Sequence, residues 1–519
     1  VKPARGGEGL YLAVDVGTSG VKAGLFTATG TCRGRRSAAL TPRSPRPGLQ
    51  ELDLHRVWDR VVSVVRRVVA DPAAGPRVAG ISFSVASPTV VLVGEDLRPL
   101  SGALTYPDTR ARAYLNEVRH RVGEEGFWRL TGNRLTSSLC SAAAMRHLLD
   151  EASRPPGRVR VGHLNSYLAG RLTGRWVIDW TNASYTGLVR TGAPHEWSRE
   201  ALEALEVPEE VLPEVVAPWQ PVGDLSGEAA SELGLSRVPV VAGAADTACS
   251  AYGVGCVEDG AVFESSGTSG VLTVCRSEPP QNRLFMNRSH VLAGRWLSHG
   301  AMSATGAATR WLREAVFCEE APARSYAELE AEAGRSEPGA GGVVFLPYLL
   351  GERTPVWDPD ARGAWVGMST ATGRSDLIRA VFESAGYGIR QIMEIEERHS
   401  GSKIDEVLLV GGGARSRFWA QLKADITGRV YRRAEDVESA CRGAALLAAV
   451  GAGVHDDPWS AVREAGPPAA EKIEPTGETA VREIYDRAYA AYTGLYPALR
   501  ETFGALTPKT EQGEGQSLI

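Results

Sequence analysis

Gly17-Thr18-Ser19-Gly20-Val21 recurs letter for letter as Gly267-Thr268-Ser269-Gly270-Val271. Each copy lies between apolar stretches of strand character. Leu10-Tyr11-Leu12-Ala13-Val14 leads into the first and Val21 to Thr27 leaves it; Ala261-Val262-Phe263 leads into the second and Val271-Leu272-Thr273-Val274 leaves it. The pattern predicts two β-hairpins, each turning on Gly-Thr-Ser-Gly. Glycine, serine and threonine are turn residues in any protein, so five letters alone make a weak repeat. Two copies in matching strand–turn–strand settings, one in each half, point to a duplicated domain.

Outward from the hairpins, strands and helices alternate. Leu54 to Val69 has a helical apolar pattern, and Val78-Ala79-Gly80-Ile81-Ser82-Phe83 reads as a buried strand. In the second half Asp376 to Glu397 reads as a long helix and Val407-Leu408-Leu409-Val410 as a strand. That strand meets Gly411-Gly412-Gly413, and Ser416 to Ile426 then runs as a helix. The mixture is α/β, each half a sheet flanked by helices. Gly253, Gly255 and Gly260 mark a boundary near residues 250–260.

Composition narrows the class. The 519 residues carry 57 Lys+Arg against 62 Asp+Glu, a formal net charge of −5, with 43% hydrophobic and 23% charged residues. This is an ordinary globular balance with room for two to four domains, and it gives no basic footprint for nucleic acid. The seven cysteines are dispersed and form no C-x-x-C, so neither a disulfide framework nor a zinc site is indicated. No apolar run is long enough to span a membrane, and Val1 to Gly9 lacks the apolar core of a secretory signal. The reading is a soluble, cytoplasmic protein, with residues 506–519 expected to be a disordered tail. Only six lysines occur (Lys2, Lys22, Lys403, Lys423, Lys472 and Lys509), so each merits attention.

A hairpin tip of Gly, Thr and Ser exposes backbone N–H groups and hydroxyls without bulky side chains, which is what a phosphate chain needs. Asp15 stands two residues before the first tip and Lys22 at its far end; Ser265 occupies the equivalent place before the second, so the acid is not duplicated. An acid beside a phosphate site makes sense with a divalent cation between them. The plain alternative is a pair of ordinary turns. Gly411-Gly412-Gly413 offers side-chain-free backbone against which a nucleotide could lie, or else is a tight strand-to-helix turn. Asp246 ends the small apolar run Val240–Ala245 and opens a helix. It is either a helix N-cap or a carboxylate placed to take a proton from a hydroxyl.

In this order, Asp15-x-Gly17-Thr18-Ser19-x-x-Lys22, the strand ending at Asp246, Ser266-Gly267-Thr268-Ser269 and Gly411-Gly412-Gly413-Ala414 resemble the phosphate, catalytic, second phosphate and adenosine motifs of the FGGY carbohydrate kinases. The resemblance covers roughly Leu10 to Val454. The segment Gly351-Glu352-Arg353-Thr354-Pro355-x-Trp357-Asp358-Pro359-x-Ala361-Arg362-Gly363 is similar to one typical of the xylulokinase and gluconokinase branch. Glu438 to Ala445 resembles the small-residue helix that ends the second domain of that family.

The resemblance implies two ribonuclease-H-like (actin-like ATPase) domains around an interdomain cleft, with residues 9–255 as the N-terminal and 256–505 as the C-terminal sugar kinase domain. It implies ATP and Mg2+ as cofactors and a small sugar as substrate, with no nucleic-acid or membrane partner and a homodimer as the assembly to expect. Asp246 would be the general base, and Asp15 and Asp246 would form the magnesium site. Thr18, Ser19, Lys22, Gly267, Thr268 and Ser269 would hold the phosphates, Gly306 would lie near the nucleotide, and Gly411, Gly412 and Gly413 would seat the adenine. Ser87, Asp108 and Asp246 would face the sugar. Asp108 opens an Asp-x-Arg turn that could equally be a surface ion pair, and the run from Asp179 to Leu188 reads as scaffold.

One departure bears on the acceptor. Xylulokinases carry Gln-Met-His-Gly after the strand equivalent to Val78–Phe83, whereas Ala86-Ser87-Pro88-Thr89 stands here with no histidine. Thr247 follows Asp246 where many relatives have an amide. The resulting expectation is an ATP-dependent kinase of a pentulose, hexulose or related polyol. The alternatives are a kinase of an unusual sugar in a specialised pathway, or a non-catalytic nucleotide switch of the actin and heat-shock-70 type.

Overall fold

The computed structural model describes residues 9–46, 48–70, 78–137, 139–152, 158–317, 324–434 and 438–506. The tail expected at 506–519 lies outside them beyond Leu506. The chain divides into two compact units that do not follow it linearly. The first comprises residues 1–259, 275–297 and 438–468; the second comprises 260–274, 298–437 and 469–519. Among the described residues no helix is long and apolar enough to cross a membrane.

Both expected hairpins are present. Strand β1 (Leu10–Val16) pairs antiparallel with β2 (Gly20–Phe26), Val16 opposite Val21, and Gly17 N–H closes the turn on Gly20 C=O at 2.9 Å. Then β3 (Cys32–Ala39) continues the meander on β2. Helix α1 (Leu54–Val69) starts where Asp53 accepts the backbone N–H of His55 and Arg56. Its Leu54, Val57, Trp58, Val61, Val64, Val65 and Val68 recur at helical spacing and are buried in the core that also holds Leu12, Val14 and Ile81.

The next strand of this sheet, β4 (Val78–Val85), lies parallel to β1, with Asp15 opposite Ser84. On its other side run β5 (Pro221–Asp224), β6 (Pro239–Val241) and the two-residue β7 (Ala244–Ala245); the order is β5-β6-β4-β1-β2-β3, with β7 also on β4. The run expected as one strand up to Asp246 is therefore two short strands. Gly243 breaks it with φ +72°, and a Cβ there would meet the Phe83 carbonyl oxygen at 2.0 Å. Helix α2 (Asp246–Gly253) follows at once.

The second unit repeats the plan. Strand β8 (Val262–Ser266) turns through Gly267-Thr268-Ser269 into antiparallel β9 (Gly270–Arg276), and the N–H of Gly267 reaches Ser269 C=O at 2.9 Å. Helix α3 (Gly306–Trp311) and the long α4 (Arg374–Ser400) precede β10 (Glu406–Val410), which lies parallel to β8 as β4 does to β1. Helix α5 (Arg417–Thr427), capped by Ser416 Oγ on the Trp419 N–H, leads to β11 (Val430–Arg433), parallel to β10.

The chain then returns to the first unit as α6 (Ser439–Gly451). Glycines let α6 lie against α2: a Cβ on Gly443 would sit 2.0 Å from Cys249 O, and one on Gly253 would sit 2.1 Å from Ser439 O. Strand β12 (Glu471–Ile473) rejoins the second sheet on β11, and α7 (Thr479–Leu506) ends the described chain.

Candidate active site

The parallel strands β1, β4 and β7 all end on one edge of the first sheet, and their carboxyl ends carry Asp15, Ser84 and Asp246 in neighbouring positions. Ligands of α/β sheets bind outside such strand ends. Ser84 Oγ donates to Asp15 Oδ1 at 2.8 Å. Burial pushes the Asp15 carboxyl above its ordinary range, against the opposing pull of that hydrogen bond and of Lys22. Lys22 stands directly across the hairpin from Asp15, and its Nζ donates to Glu438 Oε2 at 2.7 Å. Burial alone would lower the Lys22 ammonium; the Glu438 pair outweighs it and the net shift is upward.

Asp246 is the first residue of α2 and not its cap, which is Ala245. Its side chain is thereby free of the capping geometry. Oδ1 accepts the Thr247 N–H at 2.7 Å and the Thr247 hydroxyl at 3.2 Å. Burial, and after it the charge of Asp15, push the Asp246 carboxyl up to about 7. A carboxylate tuned to neutrality is matched to proton transfer at physiological pH.

Asp179 anchors the scaffold around this edge. It accepts from the N–H groups of Thr181 and Asn182 at 2.9 and 3.1 Å and from the amides of Asn165 and Asn182 at 2.8 and 2.6 Å. The Thr181 hydroxyl, which also donates to Asp179, accepts the N–H of Ala245 at 2.9 Å, one residue before Asp246. Asn182 Oδ1 in turn accepts the hydroxyl of Ser87. The Ser87 proton is therefore already committed, leaving its oxygen lone pairs for a ligand.

Asp108 is nearly buried rather than a surface residue. It accepts Arg110 Nη2 at 2.9 Å and the Gln50 N–H at 2.7 Å, and Arg110 Nη2 also reaches Glu51 at 2.9 Å. A small, mostly apolar cavity lies between Asp108, Pro88, Leu104, Leu115 and Cys140.

Thr18 is half-buried and Ser19 exposed at the first turn. In the second unit, Gly267 and Thr268 are exposed at their turn, and the structure brings Gly306 and the glycine run to it. Gly306 N–H donates to Gly267 C=O at 3.1 Å, and the N–H groups of Thr305 and Ala307 donate to Thr268 C=O at 3.2 and 2.9 Å. No side chain would fit at these approaches. A Cβ would lie 2.3 Å from Gly267 O at Gly306, 2.8 Å from Ser266 O at Gly411 and 2.3 Å from Ser266 Oγ at Gly413. Around Gly412 there is open space. Glu352 of the Gly351–Gly363 segment is buried, its carboxyl pushed up to about 7 by burial, and it accepts the N–H of Ser303 at 2.6 Å and of Arg353 at 2.7 Å. It thereby fastens the loop that enters Gly306.

Ser84, Thr181 and Glu352 were not singled out from the sequence. The available signal for Ser84 was a small hydroxyl within an otherwise apolar strand; Thr181 and Glu352 had none beyond the motifs that contain them.

Residues 10–253 match the N-terminal domain, and residues 262–452 the C-terminal domain, of the FGGY family of carbohydrate kinases. The chain belongs to the FGGY carbohydrate kinases. It is 30% identical over 500 residues to the xylulose kinase of Staphylococcus epidermidis, covering 95% of this chain and 97% of that one. The gluconokinase of Bacillus subtilis is 26% identical over 84% of this chain and 86% of its own length. The crystal structure of xylulose kinase from Rhodospirillum rubrum superposes with a TM-score of 0.83 at 29% identity, covering 95% of this chain and all of that one. This FGGY kinase is thus a phosphotransferase to a sugar hydroxyl built on two α/β domains of the actin-like ATPase fold.

Magnesium can be tested against the residues of the FGGY kinase. Among the described residues no group of three or more His, Cys, Asp or Glu side chains is arranged to hold a metal. Magnesium needs no such cage: one or two carboxylates with phosphate and water oxygens suffice. Asp15 and Asp246, two hard oxygen donors whose charges oppose each other, meet that requirement.

Proposed function

We propose that this FGGY kinase transfers the γ-phosphoryl group of ATP to a hydroxyl of a pentulose, hexulose or related polyol, with Asp246 as general base. The observation that carries the reading is the Asp246 carboxyl, held at about 7 by burial and by Asp15 at the ends of neighbouring parallel strands. In its ionised form it orients the acceptor hydroxyl and takes its proton as the oxygen–phosphorus bond forms. The Thr247 N–H holds the carboxylate in place meanwhile.

Phosphoryl transfer passes through a loose transition state, so the protein chiefly positions the reactants and offsets charge. The backbone and hydroxyls of exposed Ser19 and Thr268 and of half-buried Thr18 and Ser269 suit phosphate oxygens, and Lys22 adds a cation beside the first turn. Gly411, Gly412 and Gly413, with open space at Gly412, suit the flat face of adenine. A bound magnesium ion would be held by Asp15 and Asp246 and would supply charge neutralisation for the phosphates.

Ser87 and Asp108 face the acceptor in this reading. An imidazole is absent from the Ala86–Thr89 stretch, and the Ser87 proton is spent on Asn182. A site built to hydrogen-bond a given hydroxyl rejects ligands that leave its polar groups unpaired, and without that donor the discrimination weakens. Some ketose or polyol is therefore expected to be phosphorylated well, with D-xylulose not clearly the best substrate. The test is kcat/KM across pentuloses, hexuloses, gluconate and glycerol at saturating ATP, read as ADP release. No sugar-dependent turnover with any of them would overturn the pentulose, hexulose or polyol reading and leave an unusual sugar as the acceptor. A preference for D-xylulose of about a hundredfold or more would show that other residues supply the discrimination and overturn the reading of the Ala86–Thr89 stretch.

A further inference from the structure

Lys423 is one of six lysines in the chain and is almost wholly buried, 1% exposed, on α5 beneath the second turn. Its Nζ donates to Glu264, itself 0% exposed on β8, and to Ser266 Oγ at 3.1 Å, and it lies 4.8 Å from the centre of the Trp419 ring. Burying such a pair is costly, and well-packed apolar residues in its place are often neutral or stabilising. The cost calls for a use, and the third member suggests one.

Ser266 is the residue from which the second turn springs. It is wedged between the lysine on one side and the glycine run on the other. Its Oγ occupies the space a Cβ of Gly413 would need, and its C=O lies against Gly411. The next two carbonyls, of Gly267 and Thr268, receive the N–H groups of Thr305, Gly306 and Ala307. Turn and glycine run thus meet at one hydroxyl-bearing residue, with the start of α3 bound to the two residues after it, and the lysine in contact with Ser266 comes from α5.

We infer that Lys423 is a positioning residue for the nucleotide: its bond to the Ser266 hydroxyl sets the second turn and the Gly411–Gly413 seat in the arrangement that receives ATP. This rests on the reading of those segments as the nucleotide site. Glu264 supplies the opposite charge that keeps the buried ammonium in place. Both side chains belong to the second unit, whereas Ser87, Asp108 and Asp246, read as facing the acceptor, belong to the first, so the effect of losing them falls on ATP.

The experiment compares steady-state kinetics and melting temperature for K423M/E264L, S266A, K423R and T268A. The double variant replaces both charges with apolar groups and is expected to melt at or above the wild-type temperature. Its KM for ATP should rise by about five- to tenfold, the scale of one ordinary hydrogen bond since the effect is indirect, while the acceptor KM stays within about twofold. S266A cuts the hydroxyl link with the ion pair intact and should raise the ATP KM likewise. K423R, which can still donate to both partners, should recover at least part of it.

A well-folded double variant and an S266A variant that both keep the wild-type ATP KM would overturn the assignment; should the double variant fail to fold, S266A decides alone. T268A separates the two levels. If T268A raises the ATP KM while the other variants do not, the role of Lys423 fails and the nucleotide reading stands. If T268A also leaves it unchanged, the nucleotide reading itself falls, and the positioning role with it.

Discussion

Replacing Asp246 by asparagine should make the protein more stable and nearly inactive, and the two effects should separate with pH. The carboxyl leaves a value of 3.8 in the unfolded chain and reaches about 7 in the folded protein, driven by burial and then by Asp15. Between those values the folded state holds a proton that the unfolded chain has lost, so raising pH draws the equilibrium towards unfolding. At about 1.4 kcal/mol per pH unit, the ionised carboxylate opposes folding by up to about 4 kcal/mol above pH 7, and by less than about 2 kcal/mol at pH 5.

The substituted amide carries no charge and its carbonyl can still accept the Thr247 N–H, so D246N removes the opposition without opening a hole. At roughly 2 °C per kcal/mol for a unit of this size, the variant should melt about 8 °C above wild type at pH 8 and about 3 °C above it at pH 5. Turnover should fall by about 10²–10⁴, the usual loss of a general base. The assays are thermal unfolding at the two pH values and sugar-dependent ADP release. A D246N protein less stable than wild type at pH 8, or a gap that does not change with pH, would refute the electrostatic argument. Retention of more than about a tenth of the turnover would remove Asp246 from the chemistry.

The Asp246 value near 7 belongs to the metal-free carboxyl, and magnesium beside it would draw it down, so kcat at saturating magnesium–ATP should rise with pH along a limb whose midpoint lies below 7; a midpoint above 7 would contradict it. Asp15→Asn removes one of the two carboxylates read as the magnesium site, so the magnesium concentration for half-maximal rate should increase; an unchanged magnesium requirement and an unchanged rate would make Asp15 merely structural. Gly443→Ala places a Cβ 2.0 Å from Cys249 O and must part α6 from α2, the helix that Asp246 opens. The expected cost is about 1–3 kcal/mol of stability with a matching loss of turnover, and wild-type melting and activity would show that the helices part freely.

What the sequence made legible was local. A Gly-Thr-Ser-Gly turn between apolar runs carries its own geometry, and the pattern of α1 reports its buried face without help from the rest of the chain. Family motifs brought the distant pieces into order but not into contact. The bond from Ser84 to Asp15 depends on β4 lying parallel to β1 in one particular register, and the two residues stand 69 positions apart. Shifting that register by one residue would turn Ser84 to the other face of the sheet. The break at Gly243 is of the same kind, since it answers to the carbonyl of Phe83 on a neighbouring strand. That break is what makes Asp246 the first helical residue and not a cap, and it leaves the carboxylate turned to Thr247 with its remaining lone pairs open.

The return of residues 438–468 to the first unit was hidden for a related reason. A helix of small residues looks alike wherever it packs, and its destination is decided by a partner of matching shape. Here the partner is α2: Gly443 against Cys249 and Gly253 against Ser439 allow an approach that any side chain would forbid. The same chain segment supplies Glu438, which holds Lys22 at the far end of the first turn. One late excursion of the chain therefore supports both the helix that carries Asp246 and the lysine beside the first Gly-Thr-Ser-Gly turn. Substitutions within 438–451 should accordingly reach both sites through contact, although the segment lies nearly two hundred residues beyond Asp246.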